Sequence, residues 1–216
     1  MLKKEYLFYC DLRPWEFAEY AYEDNSFYDL VKLPSVDIDF TNYLEFTKTY
    51  FDDAEQDWEQ EKDHYSKIGN FRAKINKLLG FGKHNSFVLN FGKKADTNSL
   101  LKDLFGDDNF TKLNLIPDTV LMRLIVKLPG HGFPYHTDDA SSYQKRFSAN
   151  LVNKAKRIWI PISPWADGHM FQISDKVITH WKSGDAYQIP WGVPHLGVNY
   201  GLKPQITLNI TGCTNE

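Results

Sequence analysis

The chain predicts a mainly β fold, an antiparallel sandwich or barrel behind a helical N-terminal cover. Three observations point there. After about residue 118, short apolar runs alternate closely with turn residues. Aromatic content is high, 15%, and Tyr, Phe and Trp suit strands and pocket walls. The length, 216 residues, suffices for one good core with an appendage.

The N-terminal part is mixed. "YLFYCDL" reads as a strand. Thr47 to Leu79 is mostly helical in propensity, with apolar residues at helical spacing, and Gly80 punctuates it. The acidic stretch Asp52 to Glu61 is expected on a solvated helix face. "NSFVLNFG" reads as a strand and "DTNSLLKDLFG" as a short helix with an Asp/Thr/Asn start and a Gly stop. Beyond residue 118 the candidate strands are "VLMRLIVKL", "FPYHTD", "RIWIPIS", "HMFQIS", "VITHW", "DAYQI", "PHLGVN" and "QITLNIT". Turn signals such as "PGHG", "PWADG", "KSG" and "PWG" separate them. The expected organisation is a single domain over 1–216, with a mixed α/β cover (1–117) on a β core (118–212).

Net charge is −3 with no long basic run, so the phosphate-neutralising signature of a nucleic-acid binder is missing. Cys10 and Cys213 make no ligand pair by spacing and do not look like a disulfide framework. The N-terminus lacks a signal-peptide apolar core, and no apolar run approaches the ~20 residues that span a bilayer. A cytoplasmic, reducing compartment is the expectation.

Two stretches carry chemistry. "GHGFPYHTDDA" sets His136 and Asp138 two residues apart after a strand-like run. Alternate strand residues share a face, so imidazole and carboxylate can reach one point. "GDAYQIPWGVPHLGVN" supplies a third group. Pro190-Trp191-Gly192 makes a tight turn, and His195 opens the next strand in a well-held position. Two imidazoles and a carboxylate leave coordination positions open on one face, as in non-haem Fe(II) oxygenases. His131, His169 and His180 are expected at the surface or pocket rim, and His64 on the acidic helix in solvent.

The spacing of Gly184, Pro190, Gly192, His195 and Asn199 resembles the second signature motif of the cupin superfamily. Gly130 with His136 is similar to the start of the first motif, with Asp138 in place of its second His and no Glu following. With that departure, the region from Arg123 to Thr211 resembles the Fe(II)/2-oxoglutarate-dependent oxygenases, above all the aspartyl/asparaginyl β-hydroxylase-like branch and small phage and bacterial oxygenases. The resemblance implies a double-stranded β-helix (jelly roll) with helices packed outside. It also implies Fe(II) on His136, Asp138 and His195, with 2-oxoglutarate and O2 as cosubstrates. A peptidyl or small-molecule substrate would be hydroxylated, with release of succinate and CO2. Asp138 favours hydroxylation over halogenation, which needs that carboxylate absent.

The family carries an Arg about ten residues after the distal His, paired with the far carboxylate of 2-oxoglutarate, and a Ser or Thr two residues later. Here Gln205 stands in place of the Arg and Thr207 in place of the hydroxyl. An Arg–carboxylate pair is charge-assisted and directional, so another cation is needed. Arg157 ranks first, Lys203 second and Arg123 third. Tyr135, Trp159, Phe171, Tyr187 and Trp191 are candidate pocket walls. Two alternatives stay open: a cupin-type metalloenzyme that does not use 2-oxoglutarate, and a non-catalytic metal-binding β-sandwich.

Overall fold

The structure, a computed structural model, describes residues 30–56, 88–136, 138 and 140–215. "YLFYCDL", His64 and most of the helical stretch Thr47 to Leu79 lie outside the described residues.

β1 (Lys32–Leu33) leads to α1 (Phe40–Thr49), a single 3-10 turn (Phe51–Asp53) and β2 (Glu55–Gln56). The Asp39 carboxylate caps α1 by accepting from the Thr41 N–H at 2.9 Å. The expected helix thus stops at Thr49 in its described part. Residues 55–56 are recruited as a strand by pairing with β3 (Val88–Phe91), and ladder bonds override helical propensity there. The predicted short helix forms as α2 (Ala95–Phe105), starting one residue before Asp96 and ending at Gly106, and α3 (Asp107–Lys112) follows.

All eight C-terminal strand candidates form. They are β4 (Leu121–Lys127), β5 (His131–His136), β6 (Ala155–Pro161), β7 (His169–Ile173), β8 (Lys176–Ile178), β9 (Ala186–Gln188), β10 (His195–Asn199) and β11 (Gln205–Cys213). Two short helices, α4 (Ser141–Arg146) and α5 (Ala149–Val152), bridge β5 and β6. The larger sheet has the order β1-β9-β6-β11-β4-β3-β2 and the smaller β5-β10-β7-β8, all antiparallel. Four core strands, β9-β6-β11-β4, thus face the other four. That order is a double-stranded β-helix.

The period-2 alternation sorts the large sheet into two unlike faces. Met122, Leu124 and Val126 of β4 point outward with Ile206 and Leu208 of β11. They pack against Phe46 of α1 and Leu101 and Phe105 of α2, so the helices cover the outer face. The opposite face of these strands looks into the sandwich. A second apolar cluster around Trp159, Phe171, Trp181 and Ile189 fills part of that interior. Trp159 stacks on Phe171 at 4.2 Å between ring centres. Among the described residues no helix is long and apolar enough to cross a membrane.

Asn199, fully buried, ties three pieces of backbone together. Its amide donates to the carbonyls of Lys127 at 2.9 Å and Lys203 at 2.8 Å, and its carbonyl accepts from the Gly201 N–H at 3.0 Å. These bonds hold the end of β4 beside the β10–β11 turn. Asn199→Ala is expected to lower stability by about 3 kcal/mol and Tm by about 6–12 °C, read by thermal unfolding.

Candidate metal centre

His195 is buried at the first position of β10, directly after the Pro190-Trp191-Gly192 turn, where Gly192 has φ +73°. Its Nδ1 lies 3.0 Å from the Val193 carbonyl. A carbonyl only accepts, so Nδ1 carries the proton and Nε2 keeps its lone pair. Nε2 lies 3.3 Å from Oδ2 of Asp138. His136 ends β5, and its backbone stands opposite His195 in the β5–β10 ladder; its side chain, like that of Tyr135, lies outside the described residues. Among the described residues, no three His, Cys, Asp or Glu side chains gather as a metal-holding group. The described pair is Asp138 with His195.

This pair suits a divalent ion. An imidazole lone pair and a carboxylate oxygen are both electron donors, and they face each other. Two ligands at right angles, each about 2.1 Å from one ion, would stand roughly 3 Å apart.

The pair sits at the wall of a cavity of about 300 Å³ between the sheets. Arg157 of β6, 8% exposed, reaches into it and donates from Nη2 to Asp138 Oδ2. Its guanidinium lies over the Trp191 ring, 4.8 Å from the centroid, and its Nη1 is buried without a hydrogen-bond partner. Burial pulls the Arg157 pKa down; Asp138 opposes this and Arg123 adds to it. Arg157 therefore contacts Asp138, the carboxylate expected on the metal.

The other predicted cosubstrate residues separate. Lys203 lies exposed in the β10–β11 turn, away from the cavity lining. It contributes its carbonyl to Asn199 and to His169 Nε2. Gln205 is fully buried at the start of β11, and neither its Oε1 nor its Nε2 has a partner. Thr207, also fully buried, lines the cavity two residues on. Of the expected wall residues, Trp159, Phe171 and Trp191 line the cavity. Tyr187 packs behind Trp159, at 5.8 Å between ring centres. His169 is buried at the first position of β7 and not at a rim, because the Lys203 carbonyl and the Trp181 ring enclose it. His180 is exposed and stacks on Trp165.

Sequence reasoning missed Lys127. It is 2% exposed, faces the cavity from the last position of β4, and its Nζ donates to Thr207 Oγ1 at 3.3 Å. The signal was present: "LMRLIVK" is an apolar run with two cations four residues apart, Arg123 and Lys127, hence on one face of a strand. Arg123 lines the same cavity. The described cavity side chains therefore include three cations and one carboxylate, Asp138.

No family model matches the chain, and no curated protein matches it. Solved structures do match in part. An uncharacterized conserved protein with a double-stranded beta-helix domain from Klebsiella pneumoniae is similar over 47% of this chain and 70% of its own, at 19% identity and TM-score 0.31. A cupin domain from Bordetella pertussis is similar over 42% of this chain and 78% of its own, at 16% identity and TM-score 0.29. A predicted oxalate decarboxylase from Thermotoga maritima is similar over 44% of this chain and 69% of its own, at 15% identity and TM-score 0.31. Each likeness covers less than half of this chain; the strand order itself establishes the double-stranded β-helix.

Burial pushes the Lys127 ammonium down from 10.5 to about 7. Between those values the folded chain binds fewer protons at this residue than the unfolded chain. Stability from this group therefore rises with pH across that window, and below about 7 the full cost of burying the charge is present. Lys127→Met is expected to raise Tm by about 5 °C at pH 6 and by much less at pH 10, read by calorimetry of both proteins at the two pH values.

Proposed function

We propose that the chain is an Fe(II)- and 2-oxoglutarate-dependent oxygenase that hydroxylates a small-molecule or peptidyl substrate. The observation that carries this reading is His195 Nε2 facing Asp138 Oδ2 at 3.3 Å, with His136 opposite His195, on the wall of a cationic cavity. His136, Asp138 and His195 would hold the metal. Iron and cosubstrate, when bound, supply the activation of O2 and the oxidising power for an unactivated C–H bond. In the balanced reaction, 2-oxoglutarate, O2 and substrate give succinate, CO2 and hydroxylated substrate.

The chain's own residues do the rest. The Val193 carbonyl fixes the His195 ring and its tautomer. Arg157 orients the Asp138 carboxylate. The Trp159–Phe171 stack forms an apolar wall that keeps water from one side of the cavity. The interior cations favour an anionic cosubstrate, and burial strengthens that preference.

Gln205, uncharged where the related pattern has Arg, favours a second reading: a cupin-type metalloenzyme that acts directly on a small acid without 2-oxoglutarate. Anaerobic titration of the Fe(II)-loaded protein with 2-oxoglutarate separates the two. A weak visible charge-transfer band that saturates, and is abolished in His195→Ala and Asp138→Ala, is the expected result. Bound Fe(II) with no band would shift the assignment to the second reading, and no binding of Fe(II), Mn(II), Ni(II) or Zn(II) would sink both.

A further inference from the structure

Of the two buried cations among the described residues, Arg157 is hydrogen-bonded to a carboxylate and Lys127 to a neutral group. The Lys127 Nζ donates to the Thr207 hydroxyl. Beside it on β11, directly across the β4–β11 ladder, is Gln205, whose amide oxygen and nitrogen are both buried and unpartnered. A buried ammonium next to unpartnered buried amide atoms is costly unless an anion completes the group.

The other cavity cations are placed differently. Arg157 donates from Nη2 to Asp138 and lies over Trp191, which sets its guanidinium, with the unpartnered Nη1, beside the metal pair itself. Arg123 stands opposite Asn209, four residues back along β4, roughly 13 Å from the Lys127 row. Lys127 also lies beside the strand of the metal pair. A Cβ on Gly197 of β10 would stand 3.2 Å from Lys127 Cε, and the glycine leaves that lane open. Gly197 is two residues from His195, a step of roughly 6–7 Å along the strand. A five-carbon diacid spans about 5 Å from its first to its last carbon.

We infer that Lys127, with Thr207 and Gln205 beside it, anchors the far carboxylate of 2-oxoglutarate, so that the anchoring cation sits on β4 and not at the Gln205 position of β11. This rests on the 2-oxoglutarate reading above. The register explains the exchange: residues 127 and 205 are direct partners, so a cation from either strand reaches the same end of the cavity. The buried pKa of Lys127, about 7, agrees with a site whose charge is completed by its ligand.

The test titrates the Fe(II)-loaded full chain with 2-oxoglutarate without O2 and follows the visible band. Lys127→Met is expected to weaken 2-oxoglutarate binding 30-fold or more while leaving Fe(II) affinity unchanged. Thr207→Val is expected to weaken it about threefold. Adding Gln205→Arg to Lys127→Met returns the cation from the partner strand and is expected to recover at least tenfold, which a merely structural lysine would not produce. Lys127→Met binding within threefold of wild type would overturn the inference. If the wild-type protein gives no band, the 2-oxoglutarate reading fails first. Calorimetric titration of the metal-free protein with glutarate then judges Lys127 separately. Glutarate binding that Lys127→Met abolishes keeps the lysine as a carboxylate anchor; no binding, or binding equal in both proteins, removes it.

Discussion

Everything in this chain turns on how β4, β6 and β11 divide their side chains between the two faces of one sheet. Outward residues such as Leu124, Ile160 and Leu208 are fully buried under α1 and α2. That apolar layer supplies the main driving force for folding, at roughly 25 cal/mol per Å² buried. Because it lies on the outer face, the inner face is free to be polar. Arg123, Lys127, Arg157, Thr207 and Asn209 all point there. A jelly roll whose interior were its only core could not tolerate so many charges; here the larger apolar cluster lies outside under the helices, and the Trp159 cluster fills only part of the interior.

Buried charge then sets the character of the interior. Arg157 is offset by Asp138, which is itself 37% exposed and sits at the rim. Lys127 is offset by geometry alone: one hydroxyl, a neighbouring glycine, and the backbone clamp of Asn199 on its carbonyl. Breaking a buried pair strands a charge, so Asp138 and Arg157 constrain each other. A metal ion at Asp138 would share that carboxylate with the guanidinium. The tautomer of His195, set by Val193, prepares the other half of the pair.

Much of this was legible in advance, for a physical reason. Turn residues impose local φ/ψ limits and period-2 alternation is a local property. Each of the eight strands from "VLMRLIVKL" to "QITLNIT" was therefore readable. The His-x-Asp spacing and the turn ahead of His195 were readable in the same way. Residues 50–56 were not, because β2 exists only through its pairing with β3. Nor was the burial of His169, which depends on a carbonyl from the β10–β11 turn. Lys203 looked plausible in one dimension, but the turn before β11 leaves it in solvent.

By itself, then, the sequence determined the order of strands and turns, the mainly β class, and which residue types were available near a metal. Those follow from short-range sterics and side-chain chemistry. Only the tertiary structure decided which cation meets which carboxylate. Lys127 and Gln205 are 78 residues apart in the chain and adjacent across a ladder. Asp138, Arg157 and His195 converge from three separate segments. Register and sheet stacking are long-range outcomes of packing, and a linear pattern carries no distance between its parts.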